Sequence, residues 1–210
     1  VSGIHANAPF FGLAFGTNGK LYVNRFAQYL DVFDGQALLS EYELYPSGIN
    51  PTDVASGPDG KVWSISSAML VSMDTRAGMA RSLNSVTGYG NLTFGPDANG
   101  DGFSDLYMSK PGSIDIFDGR TGTLIKNYLS GLSGNGDLAF SRNGDTCYYV
   151  SNNWSTGACI KSYNGSSTTT VYAAPIFGGF TSVALSSAFG PVEARRERRE
   201  PRRVKARLSD

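Results

Sequence analysis

Short runs of alternating apolar and polar residues, separated by turns rich in Gly, Asn and Asp, recur along the chain. Four of these passages align, and each consists of an apolar strand, a tight turn and a second strand. They are GLAFGTNGKLYV from Gly12, DVASGPDGKVWSI from Asp53, NLTFGPDANGDGFSDLYMS from Asn91 and DLAFSRNGDTCYYVS from Asp137. A fifth start, SVALSSAFG, begins at Ser182, and successive starts are 38 to 46 residues apart. This spacing predicts one supersecondary unit per repeat.

Each repeat continues with a third strand that ends in a tight turn, such as YLDVFDG from Tyr29 or SIDIFDG from Ser113. A weaker fourth strand follows, and no stretch has a convincing helical period. Four antiparallel strands in about forty residues are typical of one blade of a β-propeller. The sequence therefore predicts an all-β fold, a small β-propeller of about five blades. Four blades are expected to be complete, and the fifth has only its inner strand, at residues 182–189.

The charges are divided unevenly between the repeats and the end of the chain. Residues 1–190 carry 10 Lys and Arg against 14 Asp and Glu, whereas residues 191–210 carry 8 basic and 4 acidic residues. We expect a propeller domain over 1–190 and a basic, Arg-rich tail over 191–210 that is disordered or irregular. The mildly acidic body argues against nucleic-acid binding. No apolar run is long enough to predict a membrane span.

Two cysteines, Cys147 and Cys159, flank a predicted hairpin. A disulfide across the hairpin would suit an extracellular or periplasmic protein, and two free thiols are the alternative. Strand register decides between them, and the sequence does not fix that register. The chain begins at Val1, which is compatible with removal of a signal peptide.

The passages GLAFGTNGKLYV, IDIFDGRTG and DLAFSRNG resemble bacterial extracellular propellers of the NHL-repeat type. They are similar, more distantly, to the gluconolactonase and paraoxonase propellers, which are calcium-dependent lactonases. The resemblance covers residues 10–190. It implies a secreted propeller with Ca²⁺ and an activity on lactones or related esters, such as homoserine or sugar lactones. Because propellers host enzymes and binding modules alike, a non-catalytic binding propeller for carbohydrate or protein is the alternative.

The first hairpin of the third repeat is longer than its counterparts and contains the pattern D-x-N-x-D-G-x-x-D. Alternate oxygen-bearing side chains of this kind surround calcium, and the glycine permits the sharp turn. The predicted ligands are Asp97, Asn99, Asp101, the carbonyl of Phe103, and Asp105. The alternative is a polar turn held by its own Asx side chains. The turn lies on the face opposite the expected ligand-binding mouth, so we expect this Ca²⁺ to brace a hairpin.

Carboxylate and amide side chains stand at the starts of the predicted inner strands. The set comprises Asp53, Asn91 and Asp137, with Asn50 and Asn135 just before two of the starts. We expect them to converge at one channel mouth, where Asp53 and Asp137 are candidate catalytic groups and the three asparagines candidate substrate-binding groups. The alternative is that they cap strand ends through local hydrogen bonds. The lactonase resemblance implies a metal at this mouth with a Glu ligand, and no Glu occupies these positions.

Two further residues are candidates for this face. His5 is the only histidine and precedes the first inner strand, so it is a candidate general base. Trp154 lies in a predicted loop on the same face and is a candidate for stacking on a sugar or lactone ring. A small-molecule substrate or a carbohydrate is therefore the expected partner, and the sequence does not set the oligomeric state.

Overall fold

The computed structural model describes residues 9–134, 136–153 and 157–173 of the 210-residue chain. These residues form strands and turns only, and within them no helix could cross a membrane. The strands are β1 (Phe10–Phe15), β2 (Leu21–Arg25), β3 (Tyr29–Asp34), β4 (Ala37–Glu43), β5 (Pro51–Ser56), β6 (Lys61–Ser66), β7 (Met69–Asp74), β8 (Met79–Ser85), β9 (Asn91–Gly95), β10 (Asp105–Lys110), β11 (Ser113–Phe117), β12 (Leu124–Ser130), β13 (Leu138–Phe140), β14 (Cys147–Asn153), β15 (Gly157–Tyr163) and β16 (Thr168–Ala173).

Every four consecutive strands form one antiparallel sheet, in the order of the chain. Short connections make this order possible, because neighbouring strands of a blade are joined by two to nine residues. In the first two sheets the turn between the first and second strands contains Gly19 (φ 77°) and Gly60 (φ 83°). A side chain with a Cβ is strained at such φ values, so glycine fits both turns. We call the four sheets blades 1 to 4.

The blades pack face to face through apolar cores, one between each successive pair of described blades. A bulky aromatic side chain from the second strand of one blade lies in each core together with an aliphatic side chain from the inner strand of the next. The pairs are Tyr22 with Val54, Trp63 with Leu92, and Tyr107 with Leu138. All six side chains are buried. Burial of this apolar surface orders the blades side by side.

The inner strands β1, β5, β9 and β13 follow one another around a common axis, because each packs against the next. The predicted fold is confirmed: the chain is an all-β protein, a small β-propeller of about five blades, and four of these blades are described. The fifth start at Ser182 and the tail at 191–210 lie outside the described residues.

The two cysteines are unpaired. In the ladder between β14 and β15, Cys147 lies opposite Tyr163 and Cys159 lies opposite Ser151. The cysteines are therefore four residues out of register, roughly 13 Å along the strands, which is beyond the reach of a disulfide. Burial raises the pKa of the Cys147 thiol to about 12, so that thiol is unreactive near neutral pH. The free-thiol alternative is the correct one.

Candidate functional site

The inner strands of all four blades start at the same end of their sheets. In the strand ladders, Gly12 lies opposite Asn24, Asp53 opposite Ile65 and Asn91 opposite Ser109, each near the end of a second strand. In blade 4, the Val150 N–H donates to the Asp137 carbonyl at 2.9 Å. Asp53, Asn91 and Asp137 thus occupy equivalent positions at one end of the axis. We call this end the mouth.

Asp53 joins three blades at the mouth. Its Oδ1 accepts the Val54 N–H at 2.8 Å, and its Oδ2 accepts the Leu92 N–H of blade 3 at 2.9 Å. On the other side lies Gly12 of blade 1, where an added Cβ would stand 2.7 Å from Asp53 Oδ1. That distance is shorter than any ordinary contact, so the absence of a side chain at position 12 makes room for the carboxylate.

A chain of hydrogen bonds behind Asp53 fixes its backbone. Asn24 Nδ2 donates to the Asp53 carbonyl at 2.6 Å, and Asn24 Oδ1 accepts Ser64 Oγ–H at 3.0 Å. Tyr45 completes the chain by donating its hydroxyl to Ser64 Oγ at 2.8 Å. Burial raises the pKa of Tyr45, and the hydrogen bond with Ser64 only partly opposes this effect, so the phenol keeps its proton. The carboxyl of Asp53 is thus presented from a rigid strand.

Asp53 has a strongly perturbed acidity. Burial raises the pKa of its carboxyl to about 7, against the hydrogen bonds from Leu92 and Val54, which favour the ionised form. The negative charge of Asp137 raises this pKa further, so the two carboxylates at the mouth repel each other electrostatically. A carboxyl with such a pKa exists in both protonation states near neutral pH. It can therefore take up and release a proton in that range.

The other predicted mouth residues make local hydrogen bonds. Asp137 Oδ1 accepts the Leu138 N–H at 2.8 Å, which repeats the cap of Asp53. Asn91 Nδ2 donates to Ser109 Oγ at 3.3 Å. Asn50 Oδ1 accepts the Ala27 N–H at 3.2 Å and so holds a turn of blade 1. Strand capping therefore operates at these positions, and Asp53 and Asp137 combine it with an electrostatic interaction between their carboxylates.

Three predicted site residues, His5, Asn135 and Trp154, lie outside the described residues. The structure thus brings together Asp53, Asp137 and Asn91 of the predicted mouth.

The long turn between β9 and β10 is held by its own polar side chains. Asp97 accepts the Gly100 N–H at 2.6 Å and the Gly102 N–H at 2.7 Å. Asn99 Oδ1 accepts the Asp101 N–H at 3.0 Å, and Asp101 Oδ1 accepts the Phe103 N–H at 3.0 Å. These are Asx turns, the alternative that the sequence allowed. The same side chains place oxygen atoms at alternate positions of one loop, which is also the ligand pattern of a calcium loop.

Asp105, the last predicted ligand, is fully buried at the start of β10. Its Oδ2 accepts the Ala98 N–H at 2.8 Å and its Oδ1 the Gly119 N–H at 3.1 Å. Burial raises the pKa of Asp105, these hydrogen bonds oppose the rise, and the charges of Asp118 and Asp97 add to it. The carboxylate therefore ties the long turn to the turn after β11.

The long turn and the mouth lie at opposite ends of blade 3. In the ladder of β9 with β10, Asn91 pairs with Ser109 at one end and Gly95 pairs with Asp105 at the other. Within the described residues, no three His, Cys, Asp or Glu side chains converge as they would around a metal ion. A cation in the long turn would therefore need the amide oxygen of Asn99, a carbonyl or water beside the carboxylates.

Two ion pairs that the sequence reasoning missed lie near the mouth, a buried one in blade 1 and a half-buried one in blade 3. Arg25 Nε contacts Asp31 Oδ2 at 2.9 Å, and Lys110 Nζ contacts Asp115 Oδ2 at 2.7 Å. Tyr89 donates its hydroxyl to Asp115, and with Lys110 it lines an open groove of about 400 Å³ between blades 2 and 3. The sequence does contain a pattern that predicts these ion pairs: a basic residue ends the second strand of the blade, and an Asp lies inside the third strand.

Sheets that radiate from a shared axis, with polar groups at the starts of the inner strands, define this chain as a β-propeller protein. Among solved structures it is similar to hydrazine synthase from Kuenenia stuttgartiensis (TM-score 0.65, 14% identity, covering 82% of this chain and 53% of that one). It is also similar to virginiamycin B lyase from Staphylococcus aureus (TM-score 0.62, 15% identity, covering 79% of this chain and 56% of that one). A third similar structure is the Dos1 propeller (TM-score 0.59, 13% identity, covering 78% of this chain and 48% of that one). No protein-family model and no curated protein matches the chain.

The identities of 13–15% mean that these likenesses establish the fold alone. The chain spans about half the length of each of these neighbours. The propeller expectation is thereby supported.

Proposed function

We propose that this protein is a hydrolase that acts on lactones or related esters at the mouth of the propeller, with Asp53 as the general base. The observation that carries the proposal is the position of the Asp53 carboxyl, which lies at the mouth, accepts backbone N–H groups of two blades and abuts Gly12 of a third. Its pKa of about 7 and its electrostatic interaction with Asp137 agree with this role. General bases work best when their pKa lies near the working pH. The lactone class rests on the resemblance of the repeats to lactonase propellers, with homoserine and sugar lactones as the first substrates to test.

The proposed reaction needs one proton acceptor and one water. Ionised Asp53 takes a proton from the water, and the water oxygen forms a bond to the carbonyl carbon of the lactone. The ring C–O bond then breaks, and the alkoxide that leaves receives the proton from Asp53, which is again ionised. Asp137 acts through its charge, which adds to the effect of burial in raising the pKa of Asp53. The Asn91 amide and the groups at His5, Asn50, Asn135 and Trp154 are proposed to position the substrate or share in the proton transfer.

The test is lactone turnover by the wild type and by Asp53→Ala and Asp137→Ala. We expect Asp53→Ala to lower kcat/KM by about 100-fold, the contribution that general-base catalysis commonly makes. Asp137→Ala should retain activity, with the pH profile moved to lower pH because the pKa of Asp53 falls. Asp34→Ala, at an exposed position outside the mouth, is the control. Absence of turnover, or turnover untouched by both mouth variants, would contradict the proposal and leave a non-catalytic binding propeller as the function.

We further propose that the turn between β9 and β10 binds Ca²⁺ through Asp97, Asn99, Asp101, the Phe103 carbonyl and Asp105. The hydrogen bonds that point alternate oxygens into this turn support the proposal. Because the turn lies at the far end of blade 3 from Asn91, the ion serves as a brace. Loops of modest affinity suit the calcium concentrations outside cells, which fits the proposed extracellular or periplasmic location.

Calcium is expected to raise the melting temperature of the purified chain. Saturation at 100 times Kd adds about 2.7 kcal/mol to the free energy of unfolding, which corresponds to roughly 5–10 °C for a chain of this size. Differential scanning calorimetry with CaCl₂ and with EDTA measures this shift. The Asp97→Asn variant should show a smaller shift, whereas Asp145→Asn, in the equivalent turn of blade 4, should match the wild type. An equal melting temperature with Ca²⁺ and with chelator would rule out the brace.

A further inference from the structure

Polar side chains lie behind the mouth at a position where the other blades have apolar or aromatic ones. Asn24 on β2 and Ser64 on β6 are fully buried between blades 1 and 2. In the strand ladders the positions equivalent to Ser64 hold Val23, Met108 and Tyr149. Burying polar side chains between two packed sheets costs free energy unless they bond each other. Such departures from apolar packing are expected mainly at functional sites.

These buried side chains form a chain of hydrogen bonds that ends on the main chain of Asp53. Tyr45 donates its hydroxyl to Ser64, and Ser64 in turn donates to Asn24 Oδ1. Because its oxygen accepts this bond, the Asn24 amide turns its nitrogen toward blade 2. Asn24 Nδ2 then donates to the Asp53 carbonyl at 2.6 Å. The amide is thus held from behind at the point from which the Asp53 carboxyl projects.

A similar anchor occurs two blades further along the chain. Ser109 on β10 holds the position in blade 3 that Asn24 holds in blade 1, at the mouth end of the ladder between the first two strands. Ser109 is buried, and its hydroxyl donates to the Gly136 carbonyl at 2.8 Å. Gly136 directly precedes Asp137. The inner strand that carries each of the two acids is therefore anchored by a side chain of the preceding blade.

The boundary between blades 2 and 3 differs from the other two described boundaries. The equivalent position on β6 is Ile65, whose side chain has no hydrogen-bond donor. The inner strand that follows it begins with Asn91, which carries no charge. A donor that served only to pack one blade against the next would be needed at this boundary as well. The donors instead occur at the two boundaries where the next inner strand carries an acid.

We propose that Asn24 is a positioning residue for the general base, an inference that rests on the proposed hydrolase activity. Asn24 holds the main chain of Asp53, while the N–H groups of Val54 and Leu92 hold its carboxyl. A displacement of about 1 Å in a reacting group can lower a rate by about 100-fold. Loss of the Asn24 donor should misplace the base and leave substrate binding unchanged. It should therefore lower kcat and not raise KM.

The first test compares kcat and KM on a lactone for the wild type and for Asn24→Leu, which removes the donor and keeps a side chain of similar size. We expect kcat to fall by about 10- to 100-fold and KM to stay within about two-fold of the wild-type value. Ser64→Ala leaves Asn24 without its orienting partner and should show a smaller fall in kcat. It also replaces Asn24→Leu as the test if that variant does not fold.

Ile116→Val is the matched control, because it is a buried change in the core between blades 3 and 4, away from the bonds to Asp53. It should keep the wild-type kcat, so that lost stability is separated from misplacement of the base. A kcat in Asn24→Leu equal to that of Ile116→Val would overturn the proposal. A loss of kcat/KM that lies wholly in KM would overturn it too.

The second test needs no substrate and separates this inference from the proposed activity. The Asp53 carboxyl is titrated by NMR of the aspartate carboxyl carbons in the full chain, with Asp53→Asn to assign its signal. Burial is the main cause that raises the pKa of Asp53 to about 7, so a strand that moves and admits water should lower the midpoint toward 3.8 in Asn24→Leu. Asp137, whose charge also raises this pKa, is kept in every variant.

The Ile116→Val control should titrate as the wild type does. An unmoved midpoint in Asn24→Leu would show that Asn24 does not position the carboxyl, and it would overturn the proposal whether or not lactones are hydrolysed. A lowered midpoint in a protein without lactone turnover would support the positioning of Asp53 by Asn24 and contradict the hydrolase activity alone.

Discussion

Between pH 4 and pH 9 the stability of the Asp53→Asn variant relative to the wild type is expected to rise by about 4 kcal/mol in free energy of unfolding. Burial raises the pKa of the Asp53 carboxyl from 3.8 to about 7 in the folded protein. Ionising this group is therefore more costly in the folded chain than in the unfolded chain. Asparagine carries no charge, so it avoids that cost. Its amide nitrogen cannot accept one of the two N–H groups that bind the carboxylate, and this loss is the same at every pH.

Because the pKa of Asp53 is raised in the folded protein, the stability difference between the variant and the wild type depends on pH. Below pH 3.8, the usual value, the carboxyl is protonated in both states, and the difference between the wild type and the variant contains only the pH-independent loss of one acceptor. The advantage of the variant grows as the pH rises from there to about 7, and it is constant above that pH. Urea unfolding at pH 4 and at pH 9 measures the difference. Asp34→Asn, at an exposed position, is the control and should match the wild type at both pH values.

A gap between Asp53→Asn and the wild type that is equal at pH 4 and pH 9 would show that Asp53 titrates normally, and the general-base role would lose its support. If the gap follows the predicted window, the same variant should be nearly inactive on lactones. It would then gain stability while losing function. A gain in stability with a loss of activity is expected where a functional site contains a group whose ionised form destabilises the folded state.

The Asp105→Ala variant is expected to lose about 3 kcal/mol of folding free energy in EDTA, where no bound metal contributes. Asp105 is fully buried and accepts the N–H groups of Ala98 and Gly119. Truncation leaves both donors without this acceptor, and each buried unpaired donor costs about 1–3 kcal/mol. Chemical unfolding at pH 7 measures the loss.

The Asp105→Asn variant separates the two roles proposed for this residue. It keeps one acceptor oxygen, so it should lose about half as much stability as Asp105→Ala in EDTA. It should also bind Ca²⁺ more weakly, because it removes a ligand charge. Asp101→Ala, in the same turn but exposed, is the control for stability in EDTA. An Asp105→Ala variant as stable as Asp101→Ala would show that the carboxylate does not tie the two turns together.

The sequence predicted the four blades well, because each strand has its own alternation and each turn its own glycine or Asx residue. It also located Asp53 and Asp137, since both begin an inner strand. The sequence did not predict the raised pKa of Asp53. That property depends on Gly12 and Leu92, which are about forty positions away on either side and come close only when three blades pack.

The same limit applies to two other features. The bond from Ser64 to Asn24 spans 40 positions and depends on the packing of blade 1 against blade 2. The separation of Cys147 from Cys159 depends on the register of β14 with β15, and a shift of the turn would change it. Local patterns define strands, whereas contacts between blades define the chemistry of the mouth.

The ion pairs near the mouth recur in every second blade of the four that the structure describes. Asp31 of blade 1 and Asp115 of blade 3 are 84 positions apart, and each pairs with the basic residue that ends the strand before it. The same 84 positions separate Asp53 of blade 2 from Asp137 of blade 4. The repeating unit marked by these residues is thus a pair of unlike blades, one with an internal ion pair and one with an acid at the axis. Within the four described blades, each pair of blades therefore contributes one carboxylate to the axis.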